Sequence, residues 1–477
     1  MEQQHDSSVA GYPASTSRTV SDATRPAPSV TERPPAPGDR DRALQHARAV
    51  IQTLFGPMAE RAMDVRYWDG TIEHGRPGAP FCLCINRRGA LRRMLLPPSE
   101  LSIIEAYLSG DVDLEGNVEE ATALADQIAA RLRSARTLSA LARHLLALPT
   151  GDPVPPVQDA RAEHVVGALG KRHEQARDRA AIRYHYDVGN DFYQLWLDQR
   201  MVYSCAYFQH PDDSLDEAQR AKLDLVCRKL RLRPGERLLD VGCGWGALIM
   251  HAVQHYGATA LGITLSDAQA TLARERIAAA GLSDRCRVEI RDYRALGDPQ
   301  FDKISSIGMV EHVGVNHLPT YFAALHRALR PGGLLLNHGI VSVNAARHRS
   351  RFEWIERRLW KRDAFIDQYV FPDGRLGPLH ATIESAEAEG FETRDAESLR
   401  EHYVLTLRAW VAGLVRGQER AIDIAGARIF RTWRLYMTAS AHAFSTGSIN
   451  VVQTLFAKPD ASGDAHLPMT RGDLLDE

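Results

Sequence analysis

The chain has 477 residues and a formal net charge of −2 at pH 7. That length allows two or three domains around a large core, and the near-neutral balance excludes a whole-protein nucleic-acid binder. Six cysteines, Cys82, Cys84, Cys205, Cys227, Cys243 and Cys286, are scattered without paired metal-ligand spacing, which points to a reducing cytoplasm and to no metal centre.

In chain order, residues 1–40 are rich in Pro, Ser, Thr, Asp and Arg and poor in large apolar side chains. They cannot bury enough surface to offset ordering, so a disordered tail is expected. No apolar core follows basic residues there, and no run of about 18 apolar residues occurs, so neither a secretory signal nor a membrane span is expected. A helical pattern over 42–55 leads into short alternating segments at 65–68, 71–74 and 80–86. In the last of these Cys82 and Cys84 fall on one strand face. Helical patterns over 99–109 and 119–148 complete a small α+β domain spanning 41–148. Gly151, Pro153, Pro155 and Pro156 mark a linker. A polar helix over 160–183 follows, so 149–182 connects to a second domain at 183–457, with 458–477 left as a carboxy-terminal tail.

From about Leu225 the chain alternates. Strands are expected at 237–241, 258–264, 286–291, 301–308 and 334–340, with helices over 267–281 and 318–329 and a turn at Arg330-Pro331-Gly332-Gly333. Repeated β–α alternation predicts a doubly wound parallel sheet with helices on both faces, an α/β, Rossmann-like architecture. The first strand ends Leu238-Leu239-Asp240-Val241-Gly242-Cys243-Gly244-Trp245-Gly246 and a helical pattern follows at once. Glycines at alternate positions let the backbone come against a ligand at the carboxyl end of the strand.

Read as a methyl-donor site of the class I methyltransferase type, Gly242, Gly244 and Gly246 pass the methionine part of S-adenosylmethionine, and Asp240 orients the loop or meets the amino group. Nucleotide-binding sheets usually place an acid after the second strand for the ribose hydroxyls. Thr264 stands there instead, followed by Leu265 and Ser266, with Gln269 one turn on, so Ser266 and Gln269 are expected to serve. Asp292 and Tyr293 end the third strand, placed for the adenine. A dinucleotide dehydrogenase would share the glycine turn, but no plausible hydride-transfer pair accompanies it.

Five further motifs carry a resemblance. They are His185-Tyr186-Asp187-Val188-Gly189-Asn190-Asp191-Phe192-Tyr193, then Met201-Val202-Tyr203-Ser204-Cys205-Ala206-Tyr207-Phe208, Gly308-Met309-Val310-Glu311-His312-Val313-Gly314, Asn337-His338-Gly339-Ile340, and Tyr369-Val370-Phe371-Pro372-Asp373-Gly374. In this order they resemble the cyclopropane-fatty-acyl-phospholipid synthases and mycolic acid cyclopropane synthases, over about 183–456. The small domain more loosely resembles the lipid-binding domain of the long bacterial synthases, through Gly110-Asp111-Val112-Asp113-Leu114-Glu115-Gly116.

The resemblance implies methylation of the cis double bond of a phospholipid acyl chain, followed by proton loss from the resulting carbocation and closure of a cyclopropane. It also implies a bound bicarbonate as base, held by Cys205 and Ile340 through their backbones and by Glu311, His338 and Tyr403. Such an ion offers donors and acceptors together, which a carboxylate, an imidazole and a phenol complement. His312 is expected to be structural, and His185, Tyr186, Tyr203 and Ser204 to line the donor pocket. Where the family often has a cysteine in an aromatic-rich helix, Tyr436-Met437-Thr438-Ala439-Ser440-Ala441 has Ser440. The alkene is itself the nucleophile, so that departure weakens only a covalent mechanism.

A buried double bond must be reached from a bilayer. The stretch 347–362 carries Arg347, Arg349, Arg351, Arg357, Arg358, Lys361 and Arg362 among Phe352, Trp354, Ile355, Leu359 and Trp360. This composition suits an anionic membrane surface and equally a helix packed on the fold through its aromatic residues. Lys171, Arg172, Arg177, Arg179 and Arg183 form a second basic stretch. Together they predict a cytoplasmic enzyme peripheral to the inner face of the membrane, acting on unsaturated phospholipid without nucleic acid; a homodimer follows from the resemblance alone. Three rival readings remain: a same-fold enzyme making methyl- or methylene-branched chains, a small-amine methyltransferase, and a non-catalytic lipid carrier.

Overall fold

Strands that alternate with helices stack side by side because each crossover covers one face of the sheet, and that stacking decides where chemistry sits. The computed structural model describes residues 37–132, 134–150, 188–298, 300–343, 365–370 and 376–475. The first helix runs Pro37–Phe55, so it begins within the stretch 1–40 and ahead of the helical pattern expected from 42. Residues 1–36 and both basic stretches of the linker and of 347–362 lie outside the described residues, as do His185 and Tyr186.

In the amino-terminal half, β1 (Asp64–Arg66), β2 (Ile72–Glu73), β3 (Phe81–Ile85) and β4 (Val112–Gly116) form a four-stranded sheet in the order β2-β1-β3-β4. Cys82 and Cys84 do share a face, with their sulfurs 3.9 Å apart as free thiols. The single helix expected over 119–148 is two, Val118–Leu132 and Ala135–Ala147. The break is a cap: the Ser134 hydroxyl accepts from the Thr137 amide and starts the second helix afresh. The core of this half, built on Ile51, Leu54, Val65, Leu91 and Tyr107, also takes in Phe365 and Val370. Arg431, on the helix Ala427–Ser445, donates to the Asp113 carboxylate at 2.6 Å and to the Tyr107 carbonyl at 2.9 Å.

The second sheet has seven strands: β5 (Arg237–Val241), β6 (Thr259–Thr264), β7 (Cys286–Ile290), β8 (Phe301–Ile307), β9 (Leu329–Ser342), β10 (Glu392–Ser398) and β11 (Ile449–Ala457), ordered β10-β11-β9-β8-β5-β6-β7. The five expected strands are present and pair in parallel. The sheet is nevertheless mixed, because β11 inserts antiparallel between β9 and β10. Val451 to Ala457 are all buried, so β11 shows no polar alternation to mark it as a strand. The order reverses between β5 and β8, which makes their carboxyl ends the switch point of the sheet.

The stretch 458–477, expected as a tail, is folded against the sheet as far as it is described. Lys458 exchanges backbone hydrogen bonds with Gly332 and Gly333, Ala465 is buried in the core, and Arg231 pairs with Asp473 at 2.6 Å. No helix among the described residues is long and apolar enough to cross a membrane. Removing residues 459–477 exposes the apolar surface under Ala465 and leaves Arg231 without Asp473. We expect a thermal midpoint lower by roughly 4 °C or more; an unchanged melting curve would show that this segment contributes nothing.

Candidate active site

The glycine turn begins where β5 ends. Gly242, Gly244 and Gly246 all have positive φ, at 82°, 53° and 82°, but the space they leave differs. A Cβ on Gly242 would lie 2.6 Å from the Met309 sulfur, and one on Gly246 would lie 3.3 Å from Ala273. A Cβ on Gly244 would meet no protein atom within 4 Å. A side chain at Gly242 or Gly246 would thus run into Met309 or press on Ala273, whereas one at Gly244 would stand in open space. Asp240 is buried, and its Oδ1 accepts a 2.7 Å hydrogen bond from Ser305 on β8. Burial pushes this carboxyl up to about 6, against the pull of Ser305 and Lys222.

Thr264, Ser266 and Gln269 are buried together. Thr264 Oγ1 donates to Gln269 Oε1 at 2.8 Å, and Ser266 Oγ caps the helix Asp267–Ala279 by accepting from the Gln269 amide at 3.3 Å. Leu265 between them is half-buried. Both oxygens of Asp292 are held by the Arg294 guanidinium, at 2.8 and 2.7 Å, and Tyr293 packs edge-on to Tyr321. Tyr203 lies in an aromatic cluster with Tyr193, Trp196, Trp410 and Trp433. Ser204 Oγ accepts a 3.0 Å hydrogen bond from Lys222.

The other side of the site is built after β8. The short helix Val310–Val313 packs directly on β9, where a Cβ at Gly339 would lie 2.3 Å from Val310 Cγ2. That close approach carries Glu311 to the strand, and its Oε1 accepts from the Ile340 amide at 2.7 Å. Its Oε2 is buried without a partner among the described residues. Burial pushes the Glu311 carboxyl up to about 7 despite the Ile340 hydrogen bond.

His338, two residues before Ile340 on the same strand face, is buried with Nε2 unpartnered among the described residues. Burial, then the charges of Lys222 and Lys229, depresses it to about 3, so it stays neutral. Cys205, Ile340 and Tyr403 belong to one apolar cluster, and the Tyr403 ring packs tilted against Phe444 with centroids 4.6 Å apart. Of the five expected holders, Glu311 and Ile340 are joined directly, His338 lies on the same strand as Ile340, and Cys205, Ile340 and Tyr403 belong to one cluster. The Cys205 thiol is wholly buried and pushed far up, so it supplies no thiolate. His312 is half-buried, and desolvation depresses it to about 4. No cluster of metal-binding side chains occurs among the described residues.

Sequence reading missed three polar residues buried in this site. Gln219 donates to the Ser204 carbonyl at 2.9 Å, Lys222 lies one turn on along the same helix, and Gln453 reaches His338 from β11. All three are polar positions inside otherwise apolar patterns, and that mismatch is the only signal they give.

Residues 173–454 match the family described as mycolic acid cyclopropane synthetase, and residues 50–132 match a domain of unknown function. A probable fatty acid methyltransferase of Pseudomonas putida is 40% identical over 427 residues, 89% of this chain and 98% of its own length. The cyclopropane-fatty-acyl-phospholipid synthase of Escherichia coli K12 is 36% identical over 291 residues, 61% of this chain and 71% of its own. Among solved structures, a mycolic acid cyclopropane synthase complexed with SAH and CTAB is similar at a TM-score of 0.54 and 36% identity. It covers 58% of this chain and 97% of its own.

Glu311 titrates higher in the folded chain, about 7, than its ordinary 4.5. Its contribution to stability is therefore full below the unfolded value and is lost as pH rises from there through about 7. Glu311→Gln keeps the acceptor for Ile340 and removes this loss. We expect the variant to be more stable than wild type by about 2–3 kcal/mol at pH 8 in urea denaturation, with the gap closing towards pH 4.5. A gap independent of pH would contradict the buried, ionising carboxyl.

Proposed function

This chain belongs to the mycolic acid cyclopropane synthetase family, and from that premise we propose that it transfers a one-carbon unit from S-adenosylmethionine to the cis double bond of unsaturated phospholipid acyl chains, forming cyclopropane fatty acids. One observation carries the reading: Glu311 Oε2 and His338 Nε2 are buried polar atoms left without partners among the described residues at the carboxyl edge of β8 and β9. Such atoms cost roughly 1–3 kcal/mol each unless a bound group satisfies them.

Glu311, His338, Tyr403 and the backbones of Cys205 and Ile340 are the proposed holders of a bicarbonate. Bound there, it supplies a base beside the acceptor carbon for the proton lost on ring closure. Gly244 gives the donor clearance on the neighbouring strand end. Glu311 and Ile340 fix the edge of the pocket. The rings of Trp196, Tyr203, Trp410 and Trp433 form an apolar wall that excludes water from a developing cation and faces it with π electrons. The lipid acceptor brings the enzyme to an anionic membrane surface, for which the basic residues of 347–362 are suited by composition.

A second reading keeps the site and changes the product to a methyl- or methylene-branched chain; the fatty acid methyltransferase relative supports it. Expression in a bacterium lacking its own cyclopropane synthase, followed by gas chromatography and mass spectrometry of the fatty acids, separates the two. A gain of one CH₂ retained as a ring supports the first reading, a branched or methylene chain the second, and no new species refutes both. Gly244→Val should abolish S-adenosylhomocysteine binding in calorimetry, because a branched side chain at φ 53° is strained and fills the open space. Undiminished affinity would remove Gly244 from the donor site. Glu311→Gln should bind the same ligand normally and lose turnover on the order of a hundredfold or more; near-normal turnover would remove Glu311 from the chemistry.

A further inference from the structure

His338 is held from behind by a chain of buried polar groups that the proposed reaction does not itself require. Lys229, at the end of the helix Leu215–Lys229, donates to Gln453 Oε1 at 2.7 Å, and Gln453 Nε2 lies 3.2 Å from His338 Nδ1. Lys229, Gln453 and His338 are all buried, and Lys229 is also paired with Glu397. An ammonium has only hydrogens to give, so it dictates which end of the Gln453 amide faces it. With the amide reversed, its NH₂ would meet the ammonium donor to donor. Gln453 therefore presents its NH₂ to the imidazole, and Nδ1 of a neutral His338 can only accept.

We propose that Gln453, oriented by Lys229, is a positioning residue that locks His338 in the tautomer with its proton on Nε2, so that the site presents a hydrogen-bond donor from His338 beside the acceptor oxygen of Glu311. The inference rests on the proposed transfer reaction for its purpose, though not for its geometry. It narrows the chemistry of what binds there. The group must accept from His338 Nε2 and, when Glu311 is ionised, donate to Glu311 Oε2. A bicarbonate meets both demands with one hydroxyl and its remaining oxygens, whereas carbonate and chloride have no hydrogen for Glu311. The neutrality of His338 agrees, since burial and the two lysines oppose a second ring proton.

The test reads the tautomer directly, by nitrogen NMR of the protein labelled at histidine, with the His338 signals assigned by their absence from His338→Gln. Wild type should show an unprotonated Nδ1 and a protonated Nε2. Gln453→Glu replaces the donor by a carboxylate that demands the proton on Nδ1, so the pattern should invert. Turnover should then fall on the order of a hundredfold or more, the scale of other wrong-tautomer variants, with S-adenosylhomocysteine affinity within threefold. Lys229→Met, which removes only the group that orients the amide, should give a mixture of tautomers; it keeps the test available if Gln453→Glu fails to fold. An Nδ1-protonated His338 in wild type, an unchanged pattern in both variants, or full turnover despite inversion would overturn the proposal. The expected tautomers in a wild type that makes no lipid product would leave the positioning role standing and overturn the transfer reaction instead.

Discussion

The hydrogen bond from the Ile340 amide to Glu311 is the contact on which the site depends. It forms because the Val310–Val313 helix can sit on β9 where Gly339 has no side chain to hold it off. One carboxylate oxygen is spent on that bond, and the other is left buried without a partner among the described residues. Burial alone would favour the protonated acid, and the amide pulls the other way. The balance leaves a carboxyl that titrates near neutrality, a property suited to a group that must hold or exchange a proton.

Strand order supplies the second half of the arrangement. β5 and β8 are neighbours, and a Cβ on Gly242 after one would meet Met309 after the other, so the two turns lie side by side at the switch point. One helix, Leu215–Lys229, underlies both ends. Gln219 and Lys222 grip the segment around Ser204, and Lys229 reaches Gln453. A buried polar network of this kind is stabilising only while every member is satisfied. That requirement gives the positions of Ser204 and His338 a common cause, although they belong to different motifs.

Much of this was legible in the sequence, and the limit has a physical form. The strands β5 to β9, the glycine turn, Glu311 and His338 are written in local pattern, because each is a short run with its own periodicity or turn chemistry. Gln453 is 115 residues from the histidine it positions, and no local pattern encodes a cross-strand partner at that distance. The same holds for β11, whose register with β9 decides that Gln453 stands opposite His338. The glycine spacing marks a tight turn, and only packing reveals that Met309 fills the space at Gly242 while Gly244 stays open. The carboxy-terminal stretch read as a tail because its few apolar residues are spaced among polar ones, yet Ala465 and the Arg231–Asp473 pair are enough to dock it.

The small sheet is bound to the same logic through a motif of the larger one. Phe365 and Val370 are buried in the amino-terminal core rather than in the clusters of the seven-stranded sheet. Tyr369 between them bonds to Glu105, which also takes Arg428 from the helix Ala427–Ser445. That helix places Trp433 in the aromatic wall and Arg431 on Asp113. Its two faces thus carry different duties, one packing the pocket and the other holding the small domain. Loss of Glu105 or of Asp113 would remove the acid that Arg428 or Arg431 of this helix pairs with. Interiors are packed too densely to absorb such a change locally. The Ala427–Ser445 helix thus joins the aromatic cluster around Trp433 to the acids of the small sheet's domain.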